Sequence, residues 1–531
     1  MVAKLAAVKV AQVAAKAVAA QVAVKEEEAA LEQEDAVLAV VVVLAAVESD
    51  LVDLIRNHRP TFWSHQILPN AMLGFVLNIA STSVVSKNIV HFQTFLSLTL
   101  YLCLAAIGEA LSDFKPALNT KTNVLVLFAD DLGSGDLGMH GGICRTPNID
   151  QLATEGVELK RYYGYPFCSP SRAALLTGQM PRRFGIAYAL GAREPGLPPN
   201  LPTLPRTLRA AGYQTWLVGK WHLGTASPPL QSGFEHFYGF EGPEVDYFAH
   251  TNRRGDVDWQ RNGQTVNEPG YSTFLIANEA VRLIDQRNTS EPFYLQVAFN
   301  APHFPLSAPE AYKDKYKHLG KEQALRAAVV DAFDNAIGRI LKALDDHGLR
   351  DNTLVVFLSD NGADQTGSNR PFRSGKGSVY EGGIRVPCIM RWPGQLESGT
   401  ASQQVTSAQD LYPTIASAMG VALEPNQKLD GKDLWANLHA ADGRDNGPLV
   451  IAGSDIALFD GEWKLIQSLN GNVSLYNMNV DANETKNVWD QNADIGRRLL
   501  GQITATAKEF ASLPQRRGPG PTSPAPRRTI P

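Results

Sequence analysis

Four side chains with hard oxygen donors occur in two pairs, and each pair follows an apolar segment of strand length. They are Asp130 and Asp131 in the first pair and Asp360 and Asn361 in the second. Ligands in open α/β sheets bind at the carboxyl ends of the strands, where both pairs would lie. Such donors suit Ca²⁺ or Mg²⁺. Either pair alone is typical of a turn, so it is their common position that predicts a divalent metal site.

A cysteine stands at the start of a second notable segment. Cys168 begins the run Cys-Ser-Pro-Ser-Arg-Ala-Ala-Leu-Leu-Thr-Gly, in which Pro170 suits the first turn of a helix and Gly178 its C-terminal end. A helix N-terminus favours negative charge, and Arg172, one turn on, adds a positive group. From the residues alone, Cys168 is either an activated thiol nucleophile or an inert buried cysteine.

Basic side chains occur in three further segments. Lys220 and His222 belong to the run Gly-Lys-Trp-His and, two residues apart on an extended segment, project to the same side. His303 follows another apolar run, and Lys376 lies in Arg-Ser-Gly-Lys-Gly. Taken singly, each is more typical of a surface or core position. Only a resemblance to a known family, which begins with the run at Cys168, assigns them to a catalytic site.

The elements that must position these side chains follow from the hydrophobic pattern after residue 123. Apolar runs of strand length alternate with amphipathic stretches, which is typical of a largely parallel sheet with helices on both faces. The pattern predicts strands at residues 124–129, 214–218, 293–299 and 353–358, and helices at 148–155, 203–211, 272–285, 321–346 and 408–419. The predicted fold class is therefore α/β, a large mostly parallel sheet sandwiched by helices, in a catalytic domain that spans residues 120–440.

The C-terminal part has a different pattern. Residues 449–476 break into short apolar runs with turns at Asp460-Gly461 and Asn470-Gly471, which predicts a small antiparallel sheet. A helix predicted at residues 494–511 would pack on it, giving an α+β subdomain over residues 441–512. Residues 513–531 are rich in Pro and Arg and carry too little apolar surface to fold, so we predict a disordered tail.

The N-terminal part precedes any domain-like pattern. Residues 1–71 form a low-complexity, Ala- and Val-rich extension. Residues 72–112 contain a basic residue, an apolar run and a small-x-small site, which predicts a signal peptide and export to the periplasm or the exterior. Two alternatives stay open. The apolar run is a membrane anchor, or translation begins at Met72 and residues 1–71 are not part of the protein.

Composition excludes several classes of function. The formal net charge is −5 over 531 residues, so no basic field is present to attract nucleic acid, and we expect no such partner. The four cysteines form no Cys-x-x-Cys pair and lack zinc-finger spacing, so neither a disulfide framework nor a zinc site builds the fold. Cys144 and Cys388 are expected to be small buried hydrophobic residues rather than a disulfide pair.

The run that begins at Cys168 resembles the motif of type I sulfatases in the alkaline phosphatase superfamily, whose cysteine is oxidised to formylglycine. The resemblance, to arylsulfatases and N-acetylgalactosamine-4-sulfatases among them, extends from residue 123 to near residue 510 and implies an alkaline phosphatase-like fold. The ligands it implies for a divalent ion, Ca²⁺ or alternatively Mg²⁺, are Asp130, Asp131, Asp360, Asn361 and the modified Cys168. The catalytic residues it implies are Cys168, Arg172, Lys220, His222, His303 and Lys376.

The same resemblance implies a mechanism. The aldehyde made from Cys168 hydrates to a geminal diol, and one hydroxyl attacks sulfur after Asp360 takes its proton. His303 and Lys376 bind the sulfate and protonate the leaving oxygen. His222 then takes the proton of the second hydroxyl, so that sulfate is eliminated and the aldehyde forms again. The residues expected to hold the diol are Arg172 and Lys220.

The segment after the Gly-Lys-Trp-His run, residues 233–250, is similar to that of sulfatases acting on N-acetylgalactosamine 4-sulfate and related sugars. The substrate-binding residues implied are Lys220, His250, His303 and Lys376. The expected substrate is a sulfated carbohydrate or an aryl sulfate, and the expected protein partner is the formylglycine-generating enzyme; the oligomeric state does not follow from the sequence. Two alternatives remain, a phosphomonoester or phosphonate hydrolase of the same superfamily and a protein that binds sulfated glycans without cleaving them.

Overall fold

A computed structural model of the protein describes residues 122–438 and 447–511, which form a large mixed sheet, a two-stranded sheet and a small antiparallel sheet. The predicted N-terminal extension (residues 1–71), signal or anchor segment (72–112) and C-terminal tail (513–531) lie outside these residues and stay predictions. Within the described ranges, no helix combines the length and the apolarity that a bilayer span requires.

The strands of the described residues are, in chain order, β1 (Asn123–Ala129), β2 (Val157–Leu159), β3 (Tyr162–Tyr163), β4 (Gln214–Lys220), β5 (His236–Phe240), β6 (Gln260–Arg261), β7 (Gln264–Thr265), β8 (Phe293–Ala298), β9 (Thr353–Ser359), β10 (Cys388–Arg391), β11 (Thr400–Ser402), β12 (Thr406–Ser407), β13 (Leu449–Ala452), β14 (Ile456–Asp460), β15 (Trp463–Gln467) and β16 (Val473–Asn477).

The α-helices of the same residues are α1 (Pro147–Thr154), α2 (Cys168–Thr177), α3 (Leu204–Ala210), α4 (Ser272–Gln286), α5 (Glu310–Lys313), α6 (Lys321–Asp346), α7 (Glu381–Ile384), α8 (Leu411–Ala418), α9 (Trp435–Leu438) and α10 (Ala493–Ala511). Short 3₁₀ turns connect several of them. One, at Ala408–Asp410, precedes α8, so the helix predicted over residues 408–419 begins as a 3₁₀ turn.

The large sheet has the strand order β11-β2-β10-β9-β1-β8-β4-β5-β6-β7. Its centre is parallel, since β1 pairs with both β8 and β9, and β4 pairs with β8 and β5. Every residue of β1, β8 and β9 is buried, as expected for strands covered on both faces. The predicted α/β class is confirmed. The pattern did not predict the antiparallel strand β10 next to β9, because a four-residue apolar run carries no signal of direction.

Two hydrophobic cores lie on the two faces of the large sheet. Alternate residues of β1, beginning with Val124, belong to one core, and the intervening residues, beginning with Leu125, belong to the other. Helices α2, α3 and α8 pack on the first face, and α4 and α6 on the second. Full burial of one such aliphatic side chain stabilises the fold by about 1.5–3 kcal/mol. Cys144 and Cys388 are buried and free, as expected.

The C-terminal sheet has the order β13-β14-β15-β16 and is wholly antiparallel, as predicted. One face packs on α10 through Leu458, Leu465 and Leu499. The other face contributes side chains, among them Ile451 and Phe459, to the first core of the large sheet. The small sheet therefore shares a core with the main body of the protein.

Candidate active site

The carboxyl ends of the central parallel strands meet at one edge of the large sheet. Asp130 follows β1, Asp360 follows β9, and Lys220 is the last residue of β4. Backbone hydrogen bonds join these ends, since Asp130 N donates to Ala301 O at 3.1 Å and Asp360 N donates to Ala129 O at 3.3 Å. The strand ends that the sequence predicts to carry the site are therefore neighbours in space.

Helix α2 brings Cys168 to this edge as its first residue, and all ten residues of the helix are buried. The helix ends at Gly178, whose φ of +65° lies in the left-handed region that glycine adopts without strain. Ser171 ties the helix to the sheet, because its hydroxyl donates to Asp360 O at 2.5 Å and accepts from Tyr165 N at 2.8 Å. The first turn of the helix, which begins with Cys168, is thus held against the sheet.

Carboxylates surround the sulfur of Cys168. Its Sγ lies 3.2 Å from Asp130 Oδ1 and 3.8 Å from Asp131 Oδ1. One possible ligand atom from each of Asp130, Asp131, Cys168 and His303 lies within 4.8 Å of the others. Asn361 Nδ2 donates to Asp131 Oδ1 at 2.7 Å, whereas Asn361 Oδ1 is buried without a hydrogen-bond partner. A buried amide oxygen without a donor, on a side chain that contacts one of these carboxylates, fits a hard divalent cation.

Three cationic side chains balance these carboxylates. Lys220 Nζ lies 2.6 Å from Asp130 Oδ2, and Lys376 Nζ lies 2.6 Å from Asp131 Oδ2. Arg172 Nη2 lies 3.0 Å from Asp360 Oδ2. Lys376 Nζ also lies 3.7 Å from Cys168 Sγ. One cation, Lys376, is therefore close to the sulfur itself, and the others pair with the carboxylates around it.

The surroundings separate the pKa values of the three carboxyl groups. Burial would raise the pKa of Asp130, but Lys220 and the other cations hold it well below its usual range. The pKa of Asp131 is also lowered, because His303 and Lys376 outweigh burial. Burial and the charge of Asp130 raise the pKa of Asp360 to about 7. Asp360 is thus the carboxyl group of this set that exchanges a proton near neutral pH.

The sulfur itself is not an activated thiol. Burial, followed by the negative charge of Asp130, raises the pKa of the Cys168 thiol well above its usual value. Reactive cysteines have the opposite shift, because only the thiolate is the nucleophile. The unmodified side chain of Cys168 is therefore poorly suited to nucleophilic catalysis.

The two histidines have different roles in hydrogen bonding. His222 Nε2 donates to Leu190 O at 2.8 Å, while its Nδ1 is buried without a partner. Burial and the charge of Lys220 lower the pKa of His222, so the ring is neutral and Nδ1 carries a free lone pair. His303 Nε2 lies 3.7 Å from Asp131 Oδ2, and its Nδ1 faces Phe304 O. Leu190 N donates to Ser169 Oγ at 2.9 Å, which fixes the carbonyl that orients His222.

Solvent reaches the cluster from one side. The side chains of Lys376 and His303 are 19% and 11% exposed, whereas those of Lys220 and Arg172 are at most 1% exposed. An anionic substrate arriving from solvent would therefore meet Lys376 and His303 first.

His250 differs from the other predicted site residues. Its ring stacks on Trp259 with a centroid distance of 4.6 Å, and it faces the backbone of Glu268 and Gly270. The described contacts of His250 are thus with its own loop and not with the carboxylate cluster. Its role in substrate binding stays a prediction.

Sequence reasoning missed Arg326. This residue lies on α6 and is buried; its Nη2 donates to Asp131 O at 2.6 Å and its Nη1 to Pro302 O at 2.8 Å. It thereby holds the backbone on either side of the cluster, next to Asp131 and His303. The available signal was an arginine at a position where the helical pattern of residues 321–346 requires a buried side chain.

Comparison with known proteins assigns the family. The model of the Sulfatase family matches residues 122–421. The chain is 37% identical to dog (Canis lupus familiaris) N-acetylgalactosamine-6-sulfatase over 371 residues, which are 64% of this chain and 68% of that protein. It is also 37% identical to the human (Homo sapiens) N-acetylgalactosamine-6-sulfatase over 349 residues, 60% of this chain and 65% of that protein. The chain thus spans about two thirds of the length of these relatives.

Among solved structures, that of Ps i-CgsB in complex with k-i-k-neocarrahexaose is similar, with 32% identity and a TM-score of 0.70. The match covers 75% of this chain and 94% of that chain. It covers a larger share of this chain than the family match does. The expected resemblance is confirmed at the level of the family, although the relatives named above are 6-sulfatases and not 4-sulfatases. Because the family match covers more than half of its residues, the chain belongs to the sulfatase family of sulfuric ester hydrolases.

Proposed function

We propose that this protein hydrolyses sulfate monoesters of a sulfated carbohydrate, with a calcium ion and with formylglycine made from Cys168. The observation that carries the proposal is the convergence on Cys168 Sγ of two carboxylates and a lysine, within 3.8 Å, in a buried cluster that opens to solvent. We assign the catalytic domain to residues 120–440 and a C-terminal α+β subdomain to residues 441–512.

The residues present fit a divalent cation. Asp130 and Asp131 are ionised, Asn361 Oδ1 has no donor, and oxygen ligands of this kind suit Ca²⁺, with Mg²⁺ the alternative. Asp360 would complete the set. The sulfur of Cys168 stands where an oxygen of the formylglycine would lie. The bound cation supplies positive charge beside the sulfate, and the hydrated formylglycine supplies an oxygen nucleophile.

Each side chain of the site then has a defined task. Asp360 accepts the proton of the attacking hydroxyl. Lys376 and His303, which face solvent, bind the sulfate and protonate the leaving oxygen. Nδ1 of His222 accepts the second proton, which releases sulfate. The residues that hold the nucleophile and offset developing charge are Arg172 and Lys220.

Two measurements test the proposal. In native protein, the intact mass of the peptide that holds Cys168 is expected to fall by the mass of hydrogen sulfide less that of an oxygen atom. Purified protein is expected to release sulfate from p-nitrophenyl sulfate much faster than phosphate from p-nitrophenyl phosphate. An unmodified Cys168 in active enzyme, or a preference for the phosphate ester, would overturn it.

The matched variant is Cys168→Ser, which keeps one hydroxyl but lacks the second. It is expected to form a stable sulfated enzyme and to turn over once at most, because His222 has no second hydroxyl to deprotonate. Mass spectrometry of this variant after exposure to substrate detects the added sulfate. Sustained turnover by Cys168→Ser would contradict the proposed release step.

Carbohydrate substrates are supported by the relatives, whose names specify N-acetylgalactosamine sulfate esters, and by the structure of Ps i-CgsB with a carrahexaose. Cleavage of a given sulfated sugar is tested by release of sulfate from carrageenan and from chondroitin sulfate oligosaccharides. The formylglycine-generating enzyme remains the expected partner, and its co-expression is expected to raise the fraction of modified Cys168.

A further inference from the structure

Three aromatic side chains of the described residues are about half exposed. Tyr188 is 46% exposed, Phe248 is 45% exposed, and Phe304 is 52% exposed. Exposed apolar side chains that cluster in one region mark binding sites, because burying them in the unliganded fold would otherwise be favourable. The surroundings of the three rings indicate what they bind.

Each exposed ring belongs to a segment that builds the active site. Tyr188 lies two residues before Leu190, whose carbonyl orients His222. The ring of Tyr188 is 5.9 Å from that of Phe167, the residue before Cys168. The Phe167 ring in turn lies against Gly377, next to Lys376. Tyr188 is therefore at the mouth of the cluster on the side of α2.

The other two rings lie on the side of β8. Phe304 directly follows His303, one of the two site residues that solvent reaches. Phe248 follows Tyr247, whose hydroxyl donates to His303 O at 3.0 Å. The three rings thus come from three separate segments of the chain, and each segment is in contact with a residue of the site.

A polar cleft of about 650 Å³ begins at Lys376 and is lined by residues 363–376. Gln365 and Arg370 line it and are exposed. Its volume falls within the range of roughly 300–1,000 Å³ that is typical of ligand sites and exceeds the space needed for one sulfate group. Planar polar side chains bind sugar hydroxyls, and an arginine binds a further anionic group.

Together these features match the chemistry of an oligosaccharide. One face of a sugar ring presents C–H groups, which pack on the negative face of an aromatic ring, while its edge presents hydroxyls. We infer that Tyr188 and Phe304, with the cleft along residues 363–376, bind sugar rings on either side of the one that carries the scissile sulfate. The preferred substrate is then an anionic oligosaccharide of several rings. This inference rests on the proposed function.

The experiment measures kcat and KM for sulfate release from disaccharides, tetrasaccharides and hexasaccharides of carrageenan and of chondroitin sulfate. For the accepted polymer, KM is expected to fall about tenfold from the disaccharide to the tetrasaccharide, as one additional stacked ring provides. Tyr188→Ala and Phe304→Ala are each expected to raise KM for the tetrasaccharide about fivefold to tenfold, with a smaller change in kcat.

The matched control is Leu469→Ala, which removes a side chain that is 78% exposed but lies in the turn between β15 and β16. It is expected to leave KM unchanged for every chain length. Thermal unfolding of all variants verifies that they fold. Unlike a structural defect, loss of a sugar-binding ring gives an effect that grows with chain length.

The outcomes separate the inference from the proposed function. If the protein cleaves p-nitrophenyl sulfate but KM is independent of chain length, or is unchanged in both aromatic variants, the inference is wrong and the proposed function stands. If the protein cleaves p-nitrophenyl sulfate but none of the oligosaccharides, the inference is wrong, and of the proposed function only the sulfatase activity stands. Absence of sulfate release from all substrates overturns both.

Discussion

Two of the clusters of buried charge among the described residues differ in what they leave open. One surrounds Cys168. The other lies between the C-terminal sheet and α7, where Lys464 Nζ is 2.8 Å from Glu381 Oε1 and 2.7 Å from Glu484 Oε1. The three side chains of the second cluster are fully buried. Burial of charge is therefore common to both and does not by itself identify a site.

The difference is in unused bonding capacity and in access, since Glu484 Oε1, although it makes no hydrogen bond, is paired with the charge of Lys464. In the second cluster, Glu381 Oε2 accepts from Tyr163 Oη at 3.1 Å and from Arg385 Nη1 at 3.2 Å, so both carboxylate oxygens of Glu381 have partners. In the site, Asn361 Oδ1 and Nδ1 of His222 are buried without partners, and Lys376 reaches solvent. The comparison teaches that a functional cluster is recognised by what it has left to bind.

The largest expected effect is the loss of stability when the second cluster, which contains Lys464, is changed. Lys464→Met removes the cation and leaves two carboxylates buried without it, which is expected to lower the free energy of unfolding by about 3–5 kcal/mol. Urea unfolding followed by tryptophan fluorescence measures the change. At a temperature where the variant is folded, kcat for p-nitrophenyl sulfate is expected to stay close to that of the native protein.

The control replaces all three side chains with neutral ones, as Lys464→Met with Glu381→Gln and Glu484→Gln. Because no charge then remains unpaired between these positions, much of the stability is expected to return. A triple variant as unstable as Lys464→Met would show that packing, and not charge, determines the stability of this cluster.

The second prediction concerns the cluster around Cys168, where the variant is expected to change activity more than stability. Lys376→Met is expected to lower kcat about 10²–10³-fold, as for loss of one group that stabilises developing negative charge. Its effect on the free energy of unfolding, measured with calcium present, is expected to be smaller than that of Lys464→Met. Activity assays and urea unfolding on the same preparations provide both values. Equal losses of stability in the two variants would remove the distinction between the clusters.

Calcium provides the third test. At a concentration one hundred times its Kd, an ion that binds only the folded state stabilises the protein by about 2.7 kcal/mol. Calorimetry with calcium and with a chelator is expected to show this shift for the native protein and for Lys464→Met. Asn361→Leu, which removes the oxygen that has no donor, is expected to show a much smaller shift. An unchanged calcium shift in that variant would exclude Asn361 as a ligand.

The sequence was sufficient to predict the metal-binding edge because its carboxylates directly follow apolar strands. Asp130 and Asp360 could be placed in this way, since parallel strands bring their carboxyl ends together. The second cluster gave no such signal. In the sequence, Lys464 is a polar residue in a short apolar run. Its burial depends on how the C-terminal sheet packs on the main core, and the local sequence pattern does not specify that packing.

Directions and contacts of side chains were also beyond the sequence. The pattern placed His222 near the site, but the free Nδ1 depends on the carbonyl of Leu190, a residue in an irregular segment 32 positions away. Arg326 is similar, since its guanidinium donates to backbone oxygens of two other loops, in addition to its ion pair with Asp136. No residue type in the sequence indicates which distant backbone carbonyl a side chain will contact.

The smallest effect on stability is expected at a partly exposed ion pair. His140 Nε2 lies 2.8 Å from Glu158 Oε1, and both side chains are partly exposed. The bond to Glu158, which outweighs burial, raises the pKa of His140 above its usual 6.5. A group whose pKa is raised by folding stabilises fully below its unfolded pKa, and this stability is lost as pH rises through the folded pKa.

The stability that His140 contributes is therefore present near pH 5.5 and declines toward pH 8.5. The pKa of Glu158 is lowered, although burial opposes this, so the stability that Glu158 contributes is lost only as pH falls below about 4.5. His140→Gln is expected to destabilise by about 0.5–1 kcal/mol more at the lower pH than at the higher one. Lys160→Met is the matched control, because it removes a charge beside the same Glu158 but no group that titrates between these values. Equal destabilisation by His140→Gln at both pH values would mean that the pair contributes through packing and neutral hydrogen bonding. Exposure to solvent would then not explain the order of the stability effects among the charged clusters of this protein.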